Sequence, residues 1–126
     1  MGSEASVPLL AWLAVTDGPG VPRGQVFTLQ RETLIGRKSG QIVLAGDAHV
    51  SGQHAKIRLE PSETDAERQV FVVYDLASAN GTFVGDVEQY RNNQVYRHEL
   101  EDGDFILLGE TTLVFKQVRL EASSKS

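Results

Sequence analysis

The sequence predicts an all-β domain, either a sandwich or a barrel, and three observations lead there. Almost no segment sustains an apolar period of 3.6 residues. Ten short runs of β-branched, aromatic and aliphatic residues recur instead, and Gly, Pro, Asn or Asp stand between them.

Taken in order, Val7-Pro8-Leu9-Leu10-Ala11-Trp12-Leu13-Ala14-Val15 reads as a buried strand over 9–15. Met1-Gly2-Ser3-Glu4 ahead of it carries an acid and no base, the wrong flank for a secretory signal. Met1-Gly2-Ser3-Glu4-Ala5-Ser6 fits the loose myristoylation pattern, but no polybasic second signal follows it. Residues 17–24 form a Gly/Pro loop, and strands are expected over 26–29, 33–36 and 42–44. In Ala55-Lys56-Ile57-Arg58-Leu59 the apolar and cationic side chains alternate, as a half-buried strand over 55–59 requires. An acidic loop over 61–67 separates it from a strand over 70–76, both of whose faces are apolar enough for a central position. Asn80-Gly81 and Asp102-Gly103 are hairpin-turn dipeptides. Further strands are expected over 82–84, 95–96, 105–108 and 112–118, with 86–93 as an exposed polar excursion. The expected organisation is a flexible segment over 1–6, one domain over 7–119 and a flexible tail over 120–126.

Composition narrows the function. The 126 residues suit a single core that needs no disulfide or metal to fold. Hydrophobic residues at 40% and charged residues at 23% exclude a wholly disordered chain. The absence of cysteine removes disulfide scaffolds, thiol nucleophiles and thiolate metal sites, and fits a reducing compartment. Twelve Lys+Arg against 17 Asp+Glu leave a net charge of −5 and no basic run, so a broad nucleic-acid surface is not expected. No apolar stretch reaches the roughly 18 residues that cross a bilayer.

Three polar groups stand out: Gly36-Arg37-Lys38, Val50-Ser51-Gly52-Gln53-His54-Ala55, and Asp75-Leu76-Ala77-Ser78-Ala79-Asn80-Gly81-Thr82-Phe83. They supply a guanidinium, a hydroxyl, a carboxamide and glycine-adjacent N–H groups, a donor-rich set that suits a dianionic tetrahedral ligand. Each has an ordinary reading: Arg37 as a solvated charge, Ser51 as a turn residue, Asn80 as half of a hairpin turn. A triad of Ser51, His54 and Asp47 or Asp75 is not expected, because no Gly-x-Ser-x-Gly elbow is present. A metal site on His49, His54, His98 and nearby acids lacks any known ligand spacing, so no metal and no cofactor are expected.

The ordered combination is more specific. Gly-Arg, a Ser-x-x-His about fifteen residues later, and then Asp-Leu-x-Ser-x-Asn-Gly-Thr-Phe resemble the forkhead-associated (FHA) domain. The likeness extends through Leu100-Glu101-Asp102-Gly103-Asp104-Phe105-Ile106-Leu107-Leu108-Gly109 and covers about residues 15–118. It implies a two-sheet antiparallel β-sandwich of the FHA/SMAD-like kind, with recognition loops at one end gripping a phosphothreonine peptide. A strict up-and-down order would put the loops before and after 42–44 at opposite ends, so their convergence is an implication of the resemblance. Arg37 resembles the family's phosphate-contacting arginine, Ser51 its phosphate-binding serine, and Asn80 the asparagine that holds the peptide backbone. Gly36, His54 and Gly81 match loop-shaping positions, with His54 similar to a structural histidine that braces the serine loop. Gly52 and Ala79 depart from the family pattern and remove two side-chain phosphate contacts, which Lys38, Gln53 and the Gly52 N–H would replace in part. His49 and residues 86–93 are further candidates for reading the peptide beyond the phosphate. The resemblance implies a non-catalytic, intracellular (cytoplasmic) module in Ser/Thr kinase signalling, whose partner is a phosphothreonine-containing protein. The alternative is a phosphorylation-independent scaffold of the same fold, binding through a sheet face.

Overall fold

The computed structural model describes residues 9–119. Eleven strands make two sheets: β1 (Leu9–Asp17), β2 (Val26–Thr28), β3 (Glu32–Gly36), β4 (Ile42–Val43), β5 (Ala55–Pro61), β6 (Gln69–Asp75), β7 (Thr82–Gly85), β8 (Gln94–Val95), β9 (Arg97–Glu99), β10 (Phe105–Leu108) and β11 (Thr111–Arg119). The six-stranded sheet runs β2-β1-β11-β10-β7-β8 and the five-stranded sheet β4-β3-β5-β6-β9. The architecture is a sandwich, not a barrel. The segments expected to be flexible, the myristoylation pattern and the Glu121–Ser126 tail lie outside the described residues.

Alternation builds the core. Ala11, Leu13 and Val15 of β1 point inward with Leu113 and Phe115 of β11, and meet Ile35, Ile57 and Val73 of the opposite sheet. Phe71 packs edge-on to Phe115 across the layers. Val70, Phe71, Val72 and Val73 are all buried, which gives β6 the interior position its two apolar faces imply. The first run is a strand but only one face of it is buried, since Leu10 is 55% exposed.

One pair breaks the antiparallel pattern and positions the site. β4 runs parallel to β3, with Ile35 opposite Ile42 and Gly36 opposite Val43. The chain therefore leaves β3, doubles back through residues 37–41 and rises again, so the loops after β3 and after β4 open at the same end. This corrects the up-and-down expectation. Ala55 opposes both Ile35 and Asp75, which brings the β6–β7 connection to that end as well. Leu108 opposes both Thr82 and Thr111, which adds the β10–β11 turn.

Three other expectations need correction. Asn80-Gly81 and Asp102-Gly103 are not hairpin turns, because β6 and β9 belong to one sheet and β7 and β10 to the other. Each dipeptide carries the chain across the sandwich. Within each dipeptide only the glycine, Gly81 or Gly103, has positive φ, whereas a type I′ turn requires it at both central residues. Residues 86–93 are not an exposed excursion throughout, since Tyr90 is buried and stacked on Phe105 at 5.3 Å. The segment leaves β7 at Gly85, the end remote from Gly81, and packs on the six-stranded sheet away from the loop mouth.

Candidate functional site

Gly36 ends β3 where two loops touch. A Cβ there would meet the Gly52 carbonyl oxygen at 2.1 Å, so only glycine allows residues 37–41 to lie against the serine loop. That contact is stitched by Arg37 N–H to the Ser51 carbonyl at 2.9 Å and Lys38 N–H to the Gly52 carbonyl at 3.3 Å. The Arg37 side chain then turns back, and its Nε donates to the Val50 carbonyl at 2.9 Å. This bond orients the guanidinium and leaves both Nη groups without a hydrogen-bond partner among the described residues. Among the described residues no carboxylate pairs with Arg37 or Lys38.

Two fully buried polar residues hold the serine loop, residues 44–54. His54 Nδ1 accepts from Ser51 N–H at 3.0 Å, which places the ring proton on Nε2, where it is shared with the Gly81 carbonyl at 2.9 Å. One imidazole thus bolts the serine loop to the asparagine loop. Asp47 ties the loop to the β10–β11 turn, accepting from His49 N–H at 3.0 Å, Glu110 N–H at 2.8 Å and Thr111 Oγ1 at 2.7 Å. Sequence reasoning missed Asp47, which it considered only for a triad that it did not expect. Its burial without a cation is what shows its use.

The asparagine loop, residues 76–81, rests on Asp75. Its carboxylate accepts from Ser78 Oγ at 2.5 Å, Ser78 N–H at 3.0 Å and Thr82 Oγ1 at 2.7 Å. Burial pushes the Asp75 carboxyl upward, but the Ser78 and Thr82 hydrogen bonds outweigh it and hold the group below the usual carboxylate range. Ser78 Oγ in turn accepts from Gly81 N–H at 2.9 Å. Gly81 has φ near +89°, a backbone conformation that side-chain-bearing residues rarely adopt, so its loop-shaping role is a conformational one.

These supports gather the three predicted side chains. Ser51 Oγ accepts from Ala79 N–H at 3.0 Å, leaving its own proton free to donate outward. Asn80 Nδ2 donates to the His49 carbonyl at 2.8 Å, leaving its Oδ1 free to accept. Arg37, Ser51 and Asn80 therefore belong to one ring of hydrogen bonds closed through Val50, Ala79 and His49. Gly52 and Lys38 adjoin that ring, and the exposed Gln53 lies between Gly52 and His54.

The same contacts bear on the rival chemistries. Both nitrogens of His54 are committed to backbone groups, so it does not face the Ser51 hydroxyl as a base. Asp47 and Asp75 are likewise occupied. His49 pairs with Glu110 at 3.2 Å and His98 with Asp104 at 3.5 Å, so the three histidines occupy three separate settings. A cleft of about 380 Å³ opens near the β5–β6 hairpin at the other end of the sandwich, where Asp65, Glu99 and Glu101 against Arg68 disfavour an anion. There Glu63 N–H, Ser62 Oγ and Arg97 hold the half-buried Glu99 carboxyl below its ordinary range.

Fold and site together define a loop-bearing β-sandwich with hydrogen-bond donors and an acceptor gathered at one end. The chain belongs to the FHA domain family, whose model matches residues 33–109. It is 35% identical over 115 residues to the glycogen accumulation regulator GarA of Mycobacterium tuberculosis, covering 90% of this chain and 62% of that protein. The GarA of Mycolicibacterium smegmatis is 35% identical over 106 residues, covering 83% and 58%. The chain thus spans about three-fifths of the curated relatives it matches. Among solved structures, the FHA domain of FhaA in complex with the intracellular domain of Rv3910 is 31% identical, with a TM-score of 0.65 over 84% of this chain and 99% of that one. EmbR of Mycobacterium tuberculosis in complex with a low-affinity phosphopeptide is 28% identical, with a TM-score of 0.66 over 98% of this chain and 28% of that one.

Proposed function

We propose that this domain recognises phosphothreonine peptides and so mediates phosphorylation-dependent protein–protein interaction in Ser/Thr kinase signalling, as a non-catalytic intracellular module. The observation that carries the reading is the hydrogen-bonded ring joining Arg37, Ser51 and Asn80. A phosphate brings about −1.5 to −2 charge and three strong acceptors. The Arg37 guanidinium, already oriented by Val50, meets two of those oxygens with charge-assisted bonds, and the Ser51 O–H meets a third. Lys38, Gln53 and the Gly52 N–H supply the secondary contacts. Asn80 Oδ1 accepts a peptide N–H beside the phosphothreonine. The architecture, in which the sheets fix the mouth before any ligand arrives, lowers the ordering cost of binding.

A second reading rests on a different observation. Leu10, Val118 and Val26 of β1, β11 and β2 are 55%, 42% and 53% exposed on the outer face of the six-stranded sheet, where Leu10 and Val118 are cross-strand partners. Such a face suits a phosphorylation-independent contact.

The two readings separate in one experiment. An oriented phosphothreonine peptide library and its unphosphorylated twin are titrated against wild type and Arg37→Ala. Removing one partner of a desolvated charge pair costs about 2–5 kcal/mol, so Arg37→Ala is expected to weaken phosphopeptide binding roughly thirtyfold or more. Equal binding of phosphorylated and unphosphorylated peptides, with no loss in Arg37→Ala, overturns the phosphothreonine reading in favour of the sheet face.

A further inference from the structure

The loop mouth is charged unevenly. Arg37 and Lys38 lie on its β3–β4 side, and an unassigned carboxylate, Glu110, lies on its β10–β11 side. Glu110 is the tip of a two-residue turn, and its position is fixed by the buried Asp47. One Asp47 oxygen accepts the His49 N–H and the other accepts the Glu110 N–H, so the two backbones are clamped side by side. Above that clamp the His49 imidazole meets the Glu110 carboxylate at 3.2 Å, with both side chains more than half exposed. On its other side the His49 carbonyl receives Asn80 Nδ2 at 2.8 Å. The asparagine that would hold the peptide backbone and the Glu110 carboxylate are thus separated by the width of one residue and two contacts. That is on the order of 10 Å, or two to three residues of an extended peptide.

From this geometry we infer that Glu110, steadied by His49, is a specificity-determining residue that selects a Lys or Arg two or three positions from the phosphothreonine, on the flank running toward Asn80. The inference rests on the phosphothreonine reading above. Its physical content is a polarity. The cations of the β3–β4 side meet the phosphate, and the carboxylate of the β10–β11 side leaves a like-charged acidic flank without a partner. His49 is a positioning residue: its imidazole meets one Glu110 carboxylate oxygen at 3.2 Å and leaves the other without a hydrogen-bond partner among the described residues.

The test is fluorescence anisotropy with one phosphothreonine peptide in which Lys or Glu is placed in turn at the second and third positions on each side. Rim ion pairs of this exposure are worth a two- to fivefold ratio. Wild type is expected to prefer Lys over Glu by that ratio at one of those positions. Glu110→Gln erases the ratio, Glu110→Lys inverts it, and His49→Ala reduces it while phosphate dependence persists. A Lys/Glu ratio near one at all four positions, or a ratio unmoved by Glu110→Lys, overturns the inference while the phosphothreonine reading stands. Unphosphorylated twins that bind as well as the phosphopeptides sink both together.

Discussion

His54 is where the two recognition loops are most directly joined, and its two bonds can be cut separately. The ring is fully buried, accepts the Ser51 N–H on Nδ1 and meets the Gly81 carbonyl through Nε2. Truncation in His54→Ala leaves a part-buried N–H and a buried C=O unpaired, each costing about 1–3 kcal/mol. The expected destabilisation is therefore roughly 2–6 kcal/mol, a large share of the 5–15 kcal/mol of a typical domain. The amide analogues divide this sum. Asn places its Oδ1 where Nδ1 sits and keeps the serine-loop bond; Gln places its Nε2 near the ring's Nε2 and keeps the Gly81 bond. Each is expected to cost about half as much as alanine. Urea unfolding of the four proteins measures the series, and phosphopeptide titration should show His54→Asn holding affinity better than His54→Gln, because Ser51 stays in place. A cost below about 1 kcal/mol for His54→Ala, or equal costs for all three variants, would refute the bridging argument and leave the imidazole as packing.

Two further perturbations follow from the same geometry. A Cβ on Gly52 would meet only the Lys38 side chain, at 3.9 Å, so Gly52→Asn adds a donor beside Ser51 without a clash; one added hydrogen bond of about 1 kcal/mol should tighten phosphopeptide binding about fivefold, and calorimetry showing no gain would put position 52 out of reach of the phosphate. Asp75 titrates below its ordinary range in the folded state, so its stabilising contribution is complete above the unfolded carboxylate range and disappears as pH falls through the lowered value; thermal unfolding followed from pH 7 downward should show an acid-dependent loss in wild type that is diminished in Asp75→Asn, and parallel curves would refute it.

Most of the fold was legible because alternation and turn chemistry are local signals. The strands at 55–59, 70–76 and 105–108 were read within a residue or two. Arg97–Glu99 was missed, since Arg-His-Glu carries no apolar alternation; β9 exists because β6 offers it an unpaired edge. Asn80-Gly81 misled in the other direction. Its composition suits a hairpin, but Thr82 pairs with Leu108 and Val95 instead of continuing beside β6, and the dipeptide becomes a crossover. Tertiary pairing decided both outcomes, and neither was written in the residues concerned.

The site was legible as a set of residue types and illegible as a place. Nothing local in Gly36-Arg37-Lys38 indicates that Ser51 lies against it, and the parallel pairing of β4 with β3 is what turns two successive loops to one end. Two buried polar residues of the serine loop then join it to its neighbours. Residues 44–54 are held to the core by Leu44 and Val50 and to the β3–β4 loop by two backbone hydrogen bonds, but neither reaches the β10–β11 turn or the asparagine loop. Asp47 and His54 anchor that loop at both shoulders, to the β10–β11 turn and to the asparagine loop, with every polar atom of the anchors satisfied. Such fully paired buried groups add little net stability, but any displacement of a loop strands a buried donor or acceptor, so the arrangement resists being half formed. Supports of this kind tie the loops that carry Arg37, Ser51 and Asn80 to one another, and the rigidity of that end of the sandwich follows from the cost of breaking them.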